Sequence, residues 1–142
     1  MKFGMTDSLL EQLYSINNLQ QEYIQKRLKK VGLTTQQART LNYVAANSGT
    51  IQKNLGIYLG KQDATVTNLL KTLEKQEYIT RKIPDDNERQ KRLYLTAKGT
   101  AIVKEVQAIF IGLEENLSLL LPPAEKTELM QSLKNISQQF PE

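Results

Sequence analysis

Cysteine and histidine are both absent from the chain, and these two gaps exclude several kinds of chemistry at once. Without thiols there is no disulfide and no cysteine-based oxidant sensor. Without either side chain there is no Cys/His zinc site. Ser-His-Asp and Cys-His nucleophilic centres are excluded on the same ground. No paired carboxylates stand at a convincing spacing either, so no reaction is assigned, and neither a cofactor nor a bound metal is expected. Long apolar runs are also missing. The most apolar stretch, Ala108–Leu121, carries Glu114 and Glu115 and is too short to span a bilayer. The opening MKFGMTDSLLEQL turns acidic early and does not read as a signal peptide, so a cytoplasmic location without a membrane partner is expected. Hydrophobic residues make up 39% of the chain, low for an isolated globule, which points to apolar surface buried between subunits. The net charge of +4 is a mild bias, and its placement matters more than its sum.

What is present is most informative between Ile51 and Thr96. Leu55, Leu59, Val66, Leu69, Leu70 and Leu73 keep a helical rhythm of threes and fours, broken once at Gly60. That pattern predicts two short helices joined by a tight turn. Gly60 supplies a residue that tolerates positive φ, and Gly56 supplies a small residue where the helices cross. Tyr78-Ile79-Thr80 and Leu93-Tyr94-Leu95-Thr96 then bracket a polar Pro-Asp-Asp-Asn tip, which predicts a hairpin. Between Arg81 and Arg92 there are five cations and three acids, so the hairpin is a basic wing beside the second helix.

Helices flank this unit on both sides. Ser8 with Glu11 fits a capping box for a first helix reaching Lys30, with Gly32 as its stop. Leu9, Leu13, Ile16, Tyr23 and Ile24 form its stripe. Thr34 with Gln37 caps a second helix whose Leu41, Val44 and Ala45 are expected to face inward. Thr96 caps a fifth helix running to Leu121, where Pro122-Pro123 ends it. Along it, Ile102, Val106, Ile109, Leu113, Leu117 and Leu120 make a seam, and Leu129, Leu133, Ile136 and Phe140 continue the pattern in a sixth helix from about Ala124 to Gln139. The expected organisation is a mainly α chain: a winged helix-turn-helix lobe over residues 33–96, with helical dimerisation arms over 1–32 and 97–142. A stripe of this kind is ordinarily intramolecular core. Here nothing else in the chain is left to cover it, so a homodimer through Leu9, Leu13, Ile16, Leu113, Leu117, Leu120, Leu129, Leu133 and Ile136 is expected.

Three segments together resemble one family. LTTQQARTL at Leu33–Leu41, NLGIYLGKQDATVTNLLKTLEKQEYI at Asn54–Ile79 and DDNERQKRLYLTAKG at Asp85–Gly99 look like a MarR-type (multiple-antibiotic-resistance regulator) transcription factor. The resemblance covers nearly the whole chain and rests on order, spacing and length jointly. It implies a dimeric winged-helix regulator, usually a repressor released by a small ligand or an oxidant. It also implies a site for small aromatic acids between arm and lobe, for which Tyr14, Tyr23, Arg39, Tyr43 and Tyr58 are candidate wall residues; ordinary core tyrosines are the plainer alternative. Two departures stand out. The family's recognition helix usually opens with serine and has an arginine near position 68, where this chain has Gln62 and Asn68. The Asp-x-Arg wing motif falls on Asn87-Glu88-Arg89, so the arginine is kept while Asp86, one residue early, is the candidate replacement for the aspartate.

The expected DNA contacts follow from residue type and face. Gln62, Thr65, Thr67, Asn68 and Lys71 lie on the polar side of the second helix. An asparagine there pairs bidentately with adenine, and a threonine methyl touches thymine. Lys53 and Lys61 flank them; Arg89, Gln90 and Lys91 carry the wing toward phosphates or the minor groove. Asp63 is expected to complement the helix dipole rather than touch DNA. The partner is therefore double-stranded DNA with an inverted-repeat operator, with a small aromatic or anionic effector as a further expectation. The competing reading is a winged-helix dimerisation or protein-interaction module that does not bind DNA.

Overall fold

In the computed structural model, which describes Gly4, residues 7–83 and residues 90–142, six helices and three short strands alternate as α1 Leu9–Lys30, α2 Thr35–Ala46, β1 Thr50–Ile51, α3 Gln52–Leu59, α4 Asp63–Lys75, β2 Ile79–Lys82, β3 Arg92–Leu95, α5 Ala97–Leu119 and α6 Pro123–Gln138. The chain falls into two units, Met1–Ile109 and Phe110–Glu142.

Within the first unit, one core joins α1 to α5. Leu28, Leu33, Ala38, Leu41, Val44, Leu55, Val66, Leu70, Leu73, Ile79, Leu93, Val103 and Val106 are buried. On α2 the inward stripe is Ala38, Leu41 and Val44, at steps of three, and Ala45 is exposed. The expectation for Ala45 was wrong because one more residue turns the helix about 100° away from Val44.

Capping chemistry sets the boundaries. Thr34 and Gln37 form the full reciprocal box on α2. On α1 only half of the expected box forms: Ser8 Oγ accepts from Glu11 N, while the Glu11 carboxylate accepts from Gly4 N instead. Thr96 Oγ1 accepts from Gly99 N at the start of α5. That helix stops at Leu119, two residues short of the expected end, because Leu121 precedes a proline and is pushed out of helical backbone. Pro123 then takes the first position of α6, where its missing N–H costs nothing.

Three helices share one ending. At α1, α3 and α4 a left-handed residue follows the last turn, and the next N–H reaches back five residues: Leu33 to Leu28, Lys61 to Gly56, Tyr78 to Leu73. The left-handed position is Gly32 (φ 77°) and Gly60 (φ 65°) in the first two and Glu77 (φ 65°) in the third. This ending commits the Tyr78 N–H to α4, while the Tyr78 carbonyl still accepts from Thr96 N at 3.0 Å. The strands therefore start at Ile79, pairing Ile79 with Leu95 and Lys82 with Arg92. The sheet has order β1-β3-β2, all antiparallel. Strand β1 is a member the sequence did not announce, since two residues are too short to show alternation.

Candidate nucleic-acid interface

α3, the Gly60 turn and α4 place the two short helices as the sequence predicted. On α4, Val66, Leu70 and Leu73 face the core, Leu69 is half-buried, and Ala64, Thr65, Asn68, Lys71 and Thr72 are exposed. The centre of the exposed stripe is Ala64, Asn68 and Lys71. Ala64 was missed from sequence because alanine carries no polar signal, yet its methyl group has the right character to meet a thymine methyl.

Thr67 is half-buried rather than fully outward, and its hydroxyl accepts a hydrogen bond from Gln52 Nε2 at 2.7 Å. The same amide nitrogen donates to Asp63 Oδ1 at 2.8 Å. Asp63 thus has a neutral partner as well as the positive end of the α4 dipole. Gln62 is exposed at the N-cap and makes no side-chain capping bond.

Two shallow troughs meet at the start of α3. One is lined by Gln52, Lys53, Gly56, Ile57, Gly60, Lys61, Gln62 and Asp63, and so joins both expected flanking lysines to the start of α4. The other is lined by Ile51, Gln52, Lys53, Arg81, Gln90, Lys91 and Leu93 and lies at the base of the wing. Lys53, Lys61, Gln90 and Lys91 are all exposed. Arg89 and the Asp86 proposed to orient it lie outside the described residues.

Several wing cations are held by the fold itself. Arg81 Nε donates to Glu74 Oε1 at 2.6 Å, pinning β2 to α4. Arg92 Nη1 donates to Gly49 O at 3.4 Å, and Lys82 Nζ lies 5.6 Å from the Tyr94 ring centroid. A count of basic residues in the hairpin therefore overstates the charge presented outward.

The candidate effector residues separate into two groups. Tyr43 and Tyr58 stack with ring centroids 4.6 Å apart, and the Arg39 guanidinium lies 5.3 Å from the Tyr58 ring. Tyr23 is engaged with Arg27 at 3.3 Å, and Tyr14 lies on the exposed face of α1 beside Glu11, Ser15 and Asn18. Among the described residues, no group of three or more acidic, His or Cys side chains is placed to hold a metal ion, and no helix is long and apolar enough to cross a membrane.

Two helices crossing at a glycine turn, a polar stripe on the second and a hairpin beside it define a winged helix-turn-helix protein. The MarR family model matches residues 31–90. Among solved structures the chain is similar to MepR, a transcription regulator of the Staphylococcus aureus multidrug efflux pump MepA, at 25% identity over 94% of this chain and 99% of that one, with a TM-score of 0.76. The fold is also that of S. aureus MepR in its DNA complex, at 24% identity, covering 94% and 97% of the two chains, with a TM-score of 0.84. No curated protein matches by sequence. The chain is thus similar to the MarR family over residues 31–90, and its fold is that of the transcription regulator MepR.

Proposed function

We propose that this chain is a DNA-binding transcription regulator that acts as a homodimeric repressor on an inverted-repeat operator. The observation that carries the reading is the exposed Ala64–Asn68–Lys71 stripe on α4, together with exposed Lys53, Lys61 and Lys91 along troughs at the start of α4 and at the base of the wing. Side chains early in such a helix meet base edges, while the lysines around them meet phosphates. The MepR–DNA complex, in a protein of the same fold, supports this assignment.

The dimer reading is supported by apolar side chains left exposed in the single chain. Leu120 is 76% exposed and Leu9 68%, and Leu13, Ile16, Leu117, Leu129, Leu133 and Ile136 also stand in solvent; Leu113 is half-buried. A two-fold dimer places two recognition helices on half-sites one helical turn apart.

The effector is a small aromatic anion that docks by Arg39 and the Tyr43–Tyr58 stack. A ligand releases DNA only by preferring the arrangement that does not bind it, and a hundredfold preference corresponds to about 2.7 kcal/mol. With no cysteine or histidine in the chain, zinc and brief mild peroxide leave operator affinity unchanged.

The test is fluorescence anisotropy with duplexes from the upstream DNA of its own gene, across a salt series, alongside sedimentation of the protein. Binding that falls steeply with salt supports the assignment. A mass of one chain at micromolar concentration overturns the dimer. No binding to any duplex at low salt leaves the protein-interaction module as the better reading.

A further inference from the structure

Gln52 is the first residue of α3, but its side chain reaches the start of α4. Its Nε2 stands 2.8 Å from Asp63 Oδ1, 2.7 Å from Thr67 Oγ1 and 3.4 Å from the Asp63 main-chain oxygen. A carboxylate and a carbonyl only accept hydrogen bonds, so the NH2 end of the amide must face Asp63, which fixes its orientation. The same nitrogen meets Thr67, so the threonine oxygen also accepts. Both amide protons are then occupied. The single Thr67 hydroxyl proton must point elsewhere, and among the described residues no group accepts it.

Thr67 lies one residue from Asn68 on the recognition helix, at the border of the exposed stripe. Gln52 itself lines both the trough that reaches the start of that helix and the one at the base of the wing. Thr67 is half-buried, so part of its side chain reaches the surface beside the exposed stripe.

We propose that Gln52 is a positioning residue for base recognition. It holds the Thr67 hydroxyl as an outward donor toward an acceptor edge, such as a purine N7 or thymine O4. It also gives the Asp63 carboxylate, a negative charge close to where phosphates would lie, a hydrogen-bond donor that holds it in place. This inference rests on the reading that α4 binds DNA.

The experiment uses the full chain and a set of operator duplexes carrying each base pair in turn at every position, with affinities from fluorescence anisotropy. Thr67→Val removes the donor, and Gln52→Met removes what orients it while keeping length. Both are expected to lose discrimination at the same base pair, by roughly 2- to 13-fold, the size of one hydrogen bond. The double variant loses no more than either single one, because the two act as a unit. Thr67→Ser retains the discrimination. Gln52→Met also weakens binding to all duplexes, and adding Asp63→Asn recovers that general loss without recovering the base preference. Thermal unfolding shows which variants are folded; a purely structural role predicts lost stability without a change in base preference. If folded Thr67→Val keeps the wild-type preference at every position, the inference is overturned, whether or not Gln52→Met folds. Wild-type protein that binds no duplex at all sinks the underlying DNA reading instead, so the two failures are distinct.

Discussion

The lobe and the segment from Phe110 onward use the same leucine and isoleucine spacings, yet they end in different states. In the lobe, Leu41, Leu55, Leu70, Leu73 and Leu93 are fully buried. From residue 110 to 142 no residue is fully buried, and α6 has none. Helical periodicity says that a face needs a partner, without saying where the partner is. In the lobe, α2, α4 and the sheet cover one another. In α6 the stripe of Leu129, Leu133 and Ile136 is complete and remains in water.

The sharpest way to break this contrast is to truncate one leucine from each region. Leu70→Ala is expected to destabilise the lobe by about 2–5 kcal/mol, since it removes apolar burial and leaves a cavity. Leu133→Ala, 42% exposed in the single chain, is expected to cost less than about 1 kcal/mol under conditions where the protein is monomeric. Its main effect should be weaker association, because a partner that binds only the folded form stabilises it by mass action. Chemical denaturation at two protein concentrations checks both. Equal, concentration-independent losses would remove the distinction between the two regions.

The next largest effect concerns a residue whose importance the sequence hid. The helix-turn-helix, the wing hairpin and the caps on α2 and α5 were legible because each uses side chains with a direct signature: alternating apolar steps, Thr34 with Gln37, Thr96 before a seam. Packing between elements distant in sequence was not. Gly99 lies in the first turn of α5, where a glycine looks merely unfavourable, yet a Cβ there would stand 2.0 Å from Tyr78 O. Gly99→Ala must push α5 away from the Tyr78 backbone just before β2, at a cost of about 1–3 kcal/mol or more. Thermal unfolding checks it, and an unchanged midpoint would mean that this approach is not tight. The candidate site was hidden in the same way. Its polar stripe could be read from the helical period, whereas Gln52 bonding to Asp63 and Thr67, and Arg81 pairing with Glu74, join residues 7 to 15 positions apart across elements.

A smaller effect, of opposite sign, is expected where α4 ends. Glu77 holds the left-handed position that Gly32 and Gly60 hold at the equivalent helix ends, and a side chain there costs roughly 1–2 kcal/mol. Part of that is offset because glycine has more freedom to lose on folding. Glu77→Gly should therefore stabilise the lobe by about 1 kcal/mol, read as a higher denaturation midpoint with an unchanged slope. A loss of stability would show that the Glu77 side chain contributes more than its backbone strain costs.

The smallest effect tests the expectation that Gly56 is small because α3 and α4 cross there. A Cβ at Gly56 would meet Lys61 O at 3.5 Å and Val66 Cγ2 at 3.7 Å, both ordinary contacts. The helices are close, but not so close that only glycine fits, in contrast to Gly99. The backbone of Gly56 still accepts the Lys61 N–H that closes the turn, and alanine leaves this bond intact. Alanine is favoured over glycine inside a helix by up to about 1 kcal/mol. Gly56→Ala is thus expected to leave the midpoint unchanged or raise it slightly, with the same operator affinity. A clear loss of stability would show that Val66 has no room to give, and that the crossing at the turn is as demanding as the one at Gly99.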